Sequence, residues 1–181
     1  MKKDIIIAGF GGQGVLSMGK ILAYAGLLGG KEVTWMPAYG PEQRGGTANV
    51  TVIVSDTKIS SPMLKSFDIA VVLNQPSMDK FENSVKPGGI LIYDSNGMTR
   101  KPARTDISVY CIDATDKALE LGAQKTFNMI VLGGLLQADP FLPMEDIMAG
   151  LKKSLPERHH HLLPANENAM KVGAEIIRKE N

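Results

Sequence analysis

The sequence predicts a three-layer α/β/α domain, a mostly parallel sheet with helices on both faces. Two patterns carry that prediction. The runs Asp4–Gly9, Asp68–Leu73 and Gly89–Asp94 are continuously apolar rather than alternating, the mark of strands covered on both sides. Helical stretches stand between strands along the chain, and such alternation builds a sheet sandwiched by helices. With 181 residues, one domain spanning 1–181 buries roughly 70% of its unfolded surface and needs no disulfide or metal staple.

The elements follow in order. After the first strand, Gln13 to Leu28 reads as a helix, with Val15, Met18, Leu22 and Ala25 on one face and Gly29-Gly30 as its stop. Val33–Met36 and Ala48–Ser55 are predicted strands, then Asp68–Leu73 and Gly89–Asp94, separated by the polar, helix-like "PSMDKFENSVKPG". Ser108–Asp113 is another strand, and Asp113 or Thr115 is placed to cap a short helix through Leu121. "FNMIVLGGLLQA", Phe127 to Ala138, is apolar nearly all round and reads as a buried helix. Its Gly133-Gly134 pair costs roughly 1 kcal/mol each in helix stability, which implies close backbone approach to another element. Pro143 suits the first position of the next helix. Ala169, Met170, Gly173, Ile176 and Ile177 share one face of an amphipathic closing helix.

Composition narrows function. A formal net charge of +1 creates no general field for nucleic acid or acidic membranes. No run of ~18 apolar residues crosses a bilayer. "MKKDIIIAGF" reads as a buried strand rather than a signal peptide, so a cytoplasmic chain is expected. The single cysteine, Cys111, cannot hold an iron–sulfur cluster, which takes about four thiolates. It reads as a small buried hydrophobe.

The strongest local motif is "IIIAGFGGQGVLSMGK". Gly9, Gly11 and Gly14 fit G-x-G-x-x-G between a strand and a helix, the context of a dinucleotide fingerprint. Such glycines allow close backbone approach, and the helix N-terminus attracts anions. The fingerprint also wants an acidic residue at the end of the second strand. That strand ends in Thr34-Trp35-Met36, with Glu32 ahead of it, which weakens a free-standing NAD-binding domain. Gly14 to Lys20 matches G-x-x-x-x-G-K, but Ile21 stands where a magnesium-binding hydroxyl belongs and the match lies within the helix. His159-His160-His161 lacks further ligands at helical spacing and reads as a solvated turn. Asn128, an amide on an apolar helix, reads as a core tie between two elements, with ligand contact as the alternative. No nucleophile–base pair and no paired carboxylates emerge.

Between Met36 and Thr47 the chain spends ten residues, Pro37 to Gly46, on a connector where ~2–6 residues suffice. Gly40, Gly45 and Gly46 permit unusual backbone angles and Pro41 stiffens the arc. Tyr39 offers an aromatic anchor, beside the polar Glu42 and Gln43. Arg44 can grip a carboxylate or phosphate in a fork. An offered surface fits this composition better than an internal Arg44–Glu42 pair.

"GFGGQGV", then "YGPEQRGG" about 25 residues on, "TANVTVIVSDTKISSP", "FNMIVLGGLL" and "NENAMKVG" together resemble the gamma subunit of the 2-oxoacid:ferredoxin oxidoreductases (the pyruvate, ketoisovalerate and 2-oxoglutarate enzymes), with the indolepyruvate oxidoreductase beta subunit a close relative. The likeness runs from Ile5 to Gly173. It implies the fold of the gamma domain of pyruvate:ferredoxin oxidoreductase and a place in a complex that decarboxylates a 2-oxoacid on thiamine diphosphate, reduces ferredoxin through iron–sulfur clusters and forms acyl-coenzyme A. This chain has neither a G-D-G motif for magnesium and diphosphate nor cysteines for clusters. Thiamine, magnesium and clusters are therefore expected on sister alpha, beta and ferredoxin-like delta subunits. The isolated chain is expected to be inactive, with no catalytic residue and no metal ligand of its own. Gly9, Gly11, Gly12, Gln13, Gly14 and Arg44, with Tyr39, Glu42 and Gln43, form the expected surface toward coenzyme A or a neighbouring subunit.

Overall fold

The computed structural model describes residues 1–39 and 47–181. Its centre is β1 (Lys2–Phe10), the first apolar run, flanked on one side by β4 (Phe67–Val72), β5 (Val85–Asp94) and β6 (Ser108–Ile112) in parallel. On its other side β3 (Thr47–Ser55) runs antiparallel, and β2 (Glu32–Tyr39) pairs antiparallel to β3 at the edge. A two-residue β7 (Arg178–Lys179) closes the far edge against β6. Among the described residues the seven-stranded order is β2-β3-β1-β4-β5-β6-β7. Five strands share one direction, since only β3 and β7 run against β1.

Strand alternation splits the core in two. Ile5, Ile7, Val50, Val52, Val54, Ile69 and Val71 face α1 (Val15–Leu28), α3 (Ala114–Glu120), α4 (Phe127–Ala138), α5 (Met144–Ser154) and α6 (Leu163–Ile176). Ile6, Ala70, Val72, Leu91 and Tyr93 face the other way, toward α2 (Gln75–Phe81) and flanking loops. Among the described residues helices thus lie on both faces, five on one and one on the other.

The close approach expected of the Gly133-Gly134 pair is made by Gly133, while a Cβ on Gly134 would first meet the Ile112 side chain. A Cβ on Gly133 would overlap the Met170 carbonyl, and one on Gly173 would overlap that of Ile130. Helices α4 and α6 therefore touch backbone to backbone.

Three boundaries differ from the sequence reading. Pro37, Ala38 and Tyr39 continue β2 rather than opening the connector, because an edge strand tolerates a proline. Pro143 is the N-cap of α5, one residue before its first turn. Neither Asp113 nor Thr115 caps α3 with its side chain. Asp113 is drawn off by Ser95 and by Arg178 Nη1 at 2.5 Å, and Thr115 instead donates to the buried Asp94 of β5. The strand β7, carried by polar residues, has no apolar pattern to announce it.

Candidate functional site

Helix α1 begins at Gly14, whose φ of 74° lies in the left-handed region. Among the described residues no side chain caps it, and the first backbone bond runs from Met18 N–H to the Gly14 carbonyl at 3.0 Å. The N–H groups of Val15, Leu16 and Ser17 are left for an outside acceptor, and the helix dipole makes that position favourable for an anion. Gly12, at φ 96°, has nothing within 4 Å of where a Cβ would stand. The backbone there is open to a ligand or a neighbour.

This terminus forms one wall of a cavity of about 450 Å³. Gly12, Gln13, Gly14 and Ser17 line it on one side. Thr115 and Ala118 of α3, then Gln124, Lys125, Phe127 and Asn128 around the start of α4, line the other. Asn128 is half-buried at the start of α4. Its side chain packs on Gly14, where an added Cβ would lie 2.6 Å from Nδ2. Asp94 stands behind this wall, fully buried. Burial pushes its carboxyl above the ordinary carboxylate range, against the hydrogen bonds from Thr115.

The expected site residues have distinct roles. Gly9 lies beneath the loop, where a Cβ would overlap Gln13 Oε1 and crowd Leu73 and Val15. Gln13 is engaged internally: Oε1 accepts from Phe10 N–H at 2.6 Å and Nε2 donates to the Leu73 carbonyl at 3.3 Å. Gly11 and Gly12 are exposed. Tyr39 ends β2, while Glu42, Gln43 and Arg44 lie outside the described residues. Gln124 and Lys125 were not singled out from the sequence, Thr115 was read only as a cap for α3, and Phe127 only as the start of an apolar helix. None was read as a site residue, and they reach the cavity only through the packing of α3 and α4.

The ladder brings two distant motifs together. Gly9 pairs with Ala48 and Phe10 with Thr47, while Ala48 in turn pairs with Tyr39. Tyr39 and Thr47, the residues that flank 40–46, therefore stand beside the start of the glycine loop. The same end of the sheet holds the switch point where β1 leads to α1 on one face and β4 leads to α2 on the other, a preferred ligand position in open α/β sheets. Phe10 is 39% exposed there, and Met36, further back on β2 opposite Thr51, is 41% exposed.

A nicotinamide fingerprint is not completed. The strand after α1 does not pair with β1, because β3 intervenes, so no second-strand carboxylate is delivered to a ribose beside the loop. Lys20 lies on α1 with its ammonium over the Tyr24 ring, which removes the phosphate-loop pattern. Of the histidines, His160 Nε2 sits 3.0 Å from the Lys152 and Leu155 carbonyls at the end of α5, and His161 bonds the Arg158 carbonyl. Among the described residues no three His, Cys, Asp or Glu side chains gather as a metal site, and no helix is long and apolar enough to cross a membrane. Cys111 is buried, and burial pushes its thiol up, as suits a small hydrophobe.

Comparison with known proteins decides the family. The family described as pyruvate ferredoxin/flavodoxin oxidoreductase matches residues 4–176. This chain belongs to that family. A ketoisovalerate oxidoreductase subunit VorA from Methanothermobacter thermautotrophicus is 43% identical over 130 residues, covering 72% of this chain but only 27% of its own length. The chain thus spans about a quarter of that relative. The keto/oxoacid ferredoxin oxidoreductase gamma subunit from Geobacter sulfurreducens has a TM-score of 0.83 at 26% identity, over 97% of this chain and 96% of that one. A 2-oxoglutarate:ferredoxin oxidoreductase from Magnetococcus marinus, solved with 2-oxoglutarate, coenzyme A and succinyl-CoA bound, has a TM-score of 0.86 at 25% identity. It matches over 97% of this chain and 31% of its own. The family fold is thus met both as a separate subunit and inside a longer polypeptide.

Proposed function

We propose that this chain is the gamma-type component of a cytoplasmic 2-oxoacid:ferredoxin oxidoreductase, and that its glycine-loop end faces coenzyme A. The carrying observation is the register that sets Tyr39, Thr47 and Phe10 side by side. It sets "GFGGQG" and the residues at the borders of "YGPEQRGG", Tyr39 and Thr47, at one end of the sheet, next to a helix N-terminus that no described side chain caps. Thiamine diphosphate, magnesium and the iron–sulfur clusters are assigned to sister alpha, beta and ferredoxin-like delta subunits, since one cysteine cannot ligate a cluster. Coenzyme A, when bound, supplies the thiol that accepts the acyl group. The α1 N-terminus with Ser17 would hold its diphosphate, Gly12 would allow close approach, and Lys125 and Arg44 would supply positive charge. This chain's part is to bind and orient.

A second role at the same end has its own support. Phe10 and Met36 are exposed on a stretch of sheet that α2 leaves uncovered, a composition suited to docking the catalytic subunits.

The test uses the chain alone and the chain assembled with its sister subunits. Alone, it should reduce no dye in the presence of a 2-oxoacid and thiamine diphosphate; assembled, it should support coenzyme A-dependent turnover. Turnover by the isolated chain overturns the reading. An assembled enzyme whose Michaelis constant for coenzyme A ignores Lys125→Ala and Ser17→Ala overturns the ligand part and leaves docking.

A further inference from the structure

Gln13 is the only long side chain in Phe10–Gly14 apart from Phe10, and it does not reach outward with its amide. Its Oε1 accepts from Phe10 N–H at 2.6 Å, and its Nε2 donates to the Leu73 carbonyl at 3.3 Å. Leu73 N–H in turn donates to the Ala8 carbonyl at 2.9 Å, the last rung before β1 and β4 part toward opposite faces of the sheet. The amide therefore bridges the mouth of the switch point. Gly9 is its seat, because any Cβ there would overlap Gln13 Oε1.

We infer that Gln13 is a positioning residue for the candidate site: by clamping the end of β1 to the end of β4, it holds Gly11, Gly12 and the α1 N-terminus in the arrangement that receives the ligand. The inference rests on the coenzyme A reading of that cavity. Only a glutamine-length amide serves both bonds. Asparagine is one methylene short, and glutamate keeps the acceptor but presents a carboxylate oxygen to the Leu73 carbonyl, where a donor is required. Unclamped, the Gly11-Gly12 pair has no side chain of its own to fix the turn, and displacements of about 1 Å at a binding site cost up to about a hundredfold.

The test compares Gln13→Ala and Gln13→Glu, with Lys125→Ala as the control on the ligand reading. In the isolated chain, Gln13→Ala should speed amide hydrogen exchange at Phe10 by about tenfold or more, whereas Gln13→Glu should leave that amide protected. In the assembled enzyme, Gln13→Ala should raise the Michaelis constant for coenzyme A about tenfold while turnover at saturation falls less than about threefold, with Gln13→Glu between it and wild type. Unchanged Phe10 exchange in Gln13→Ala shows that no clamp exists and overturns the inference. If Lys125→Ala raises the Michaelis constant and Gln13→Ala does not, the clamp positions nothing and the inference falls alone. If neither variant moves it, the coenzyme A reading has failed and the positioning role falls with it.

Discussion

Asp94 shows how a single residue near the cavity ties its wall to pH. Its carboxylate is fully buried and takes the Thr115 hydroxyl and backbone as donors, so it supports the start of α3, whose Thr115 lines the cavity. Burial raises its pKa. The sign follows from linkage: an acid held above its unfolded value of about 3.9 contributes fully when protonated, and that contribution is lost as pH rises through the folded value. Asp94→Asn removes the titration. The melting-temperature difference, variant minus wild type, should therefore be more positive at about pH 7 than at about pH 4. A difference that is constant with pH, or that runs the other way, would show that Asp94 titrates in the fold as it does in the unfolded chain.

At the scale of elements, the pairing of α4 with α6 sets intrinsic propensity against packing. Gly133→Ala should gain up to ~1 kcal/mol if helix propensity ruled. Here the new methyl would meet the Met170 carbonyl, which no rotamer can move aside. The expected outcome is destabilisation by ~3 kcal/mol or more, measured by urea unfolding, since overpacking against backbone forces the helices apart. A stabilised variant would mean that α4 and α6 have room to separate. This contact was legible in the sequence, because a glycine pair in an otherwise apolar helix has few other uses. The hairpin was not. Nothing in "TWMPAY" marks three more strand residues before the turn, and an antiparallel β3 inserted between β1 and β2 breaks the strand–helix alternation on which the parallel reading rests. The far wall of the cavity was equally hidden: Thr115, Lys125 and Phe127 meet Gly12 only after α3 and α4 have packed on the sheet. Local motifs are read from neighbours in sequence, and the one that reaches this wall, the apolar run from Phe127, reads as core before it reads as a site.

At the scale of the whole molecule, the two faces of the sheet are unequal, and in the proposed assembly the barer face is the one offered to a partner. Among the described residues five helices cover one face and only α2 covers the other, leaving Phe10 and Met36 exposed on the face away from α1. The segment that carries Arg44 lies outside the described residues, so its role rests on composition and on where its flanking residues are held. Arg44→Ala should leave the isolated chain within ~0.5 kcal/mol of wild-type stability, as for a substitution away from the core. If Arg44 grips a carboxylate or phosphate across an interface, its loss strands a desolvated charge at ~2–5 kcal/mol in association or ligand affinity. Where that loss is measured separates the two roles of this end of the sheet. Weaker co-purification with the sister subunits assigns Arg44 to docking, and intact assembly with a raised Michaelis constant for coenzyme A assigns it to the ligand. An assembled enzyme with unchanged kinetics would show that the charge is solvated. The exposed Phe10 and Met36 would then be left to hold the partner through apolar contact alone, and the association would depend little on salt, because no ion pair would remain to be screened.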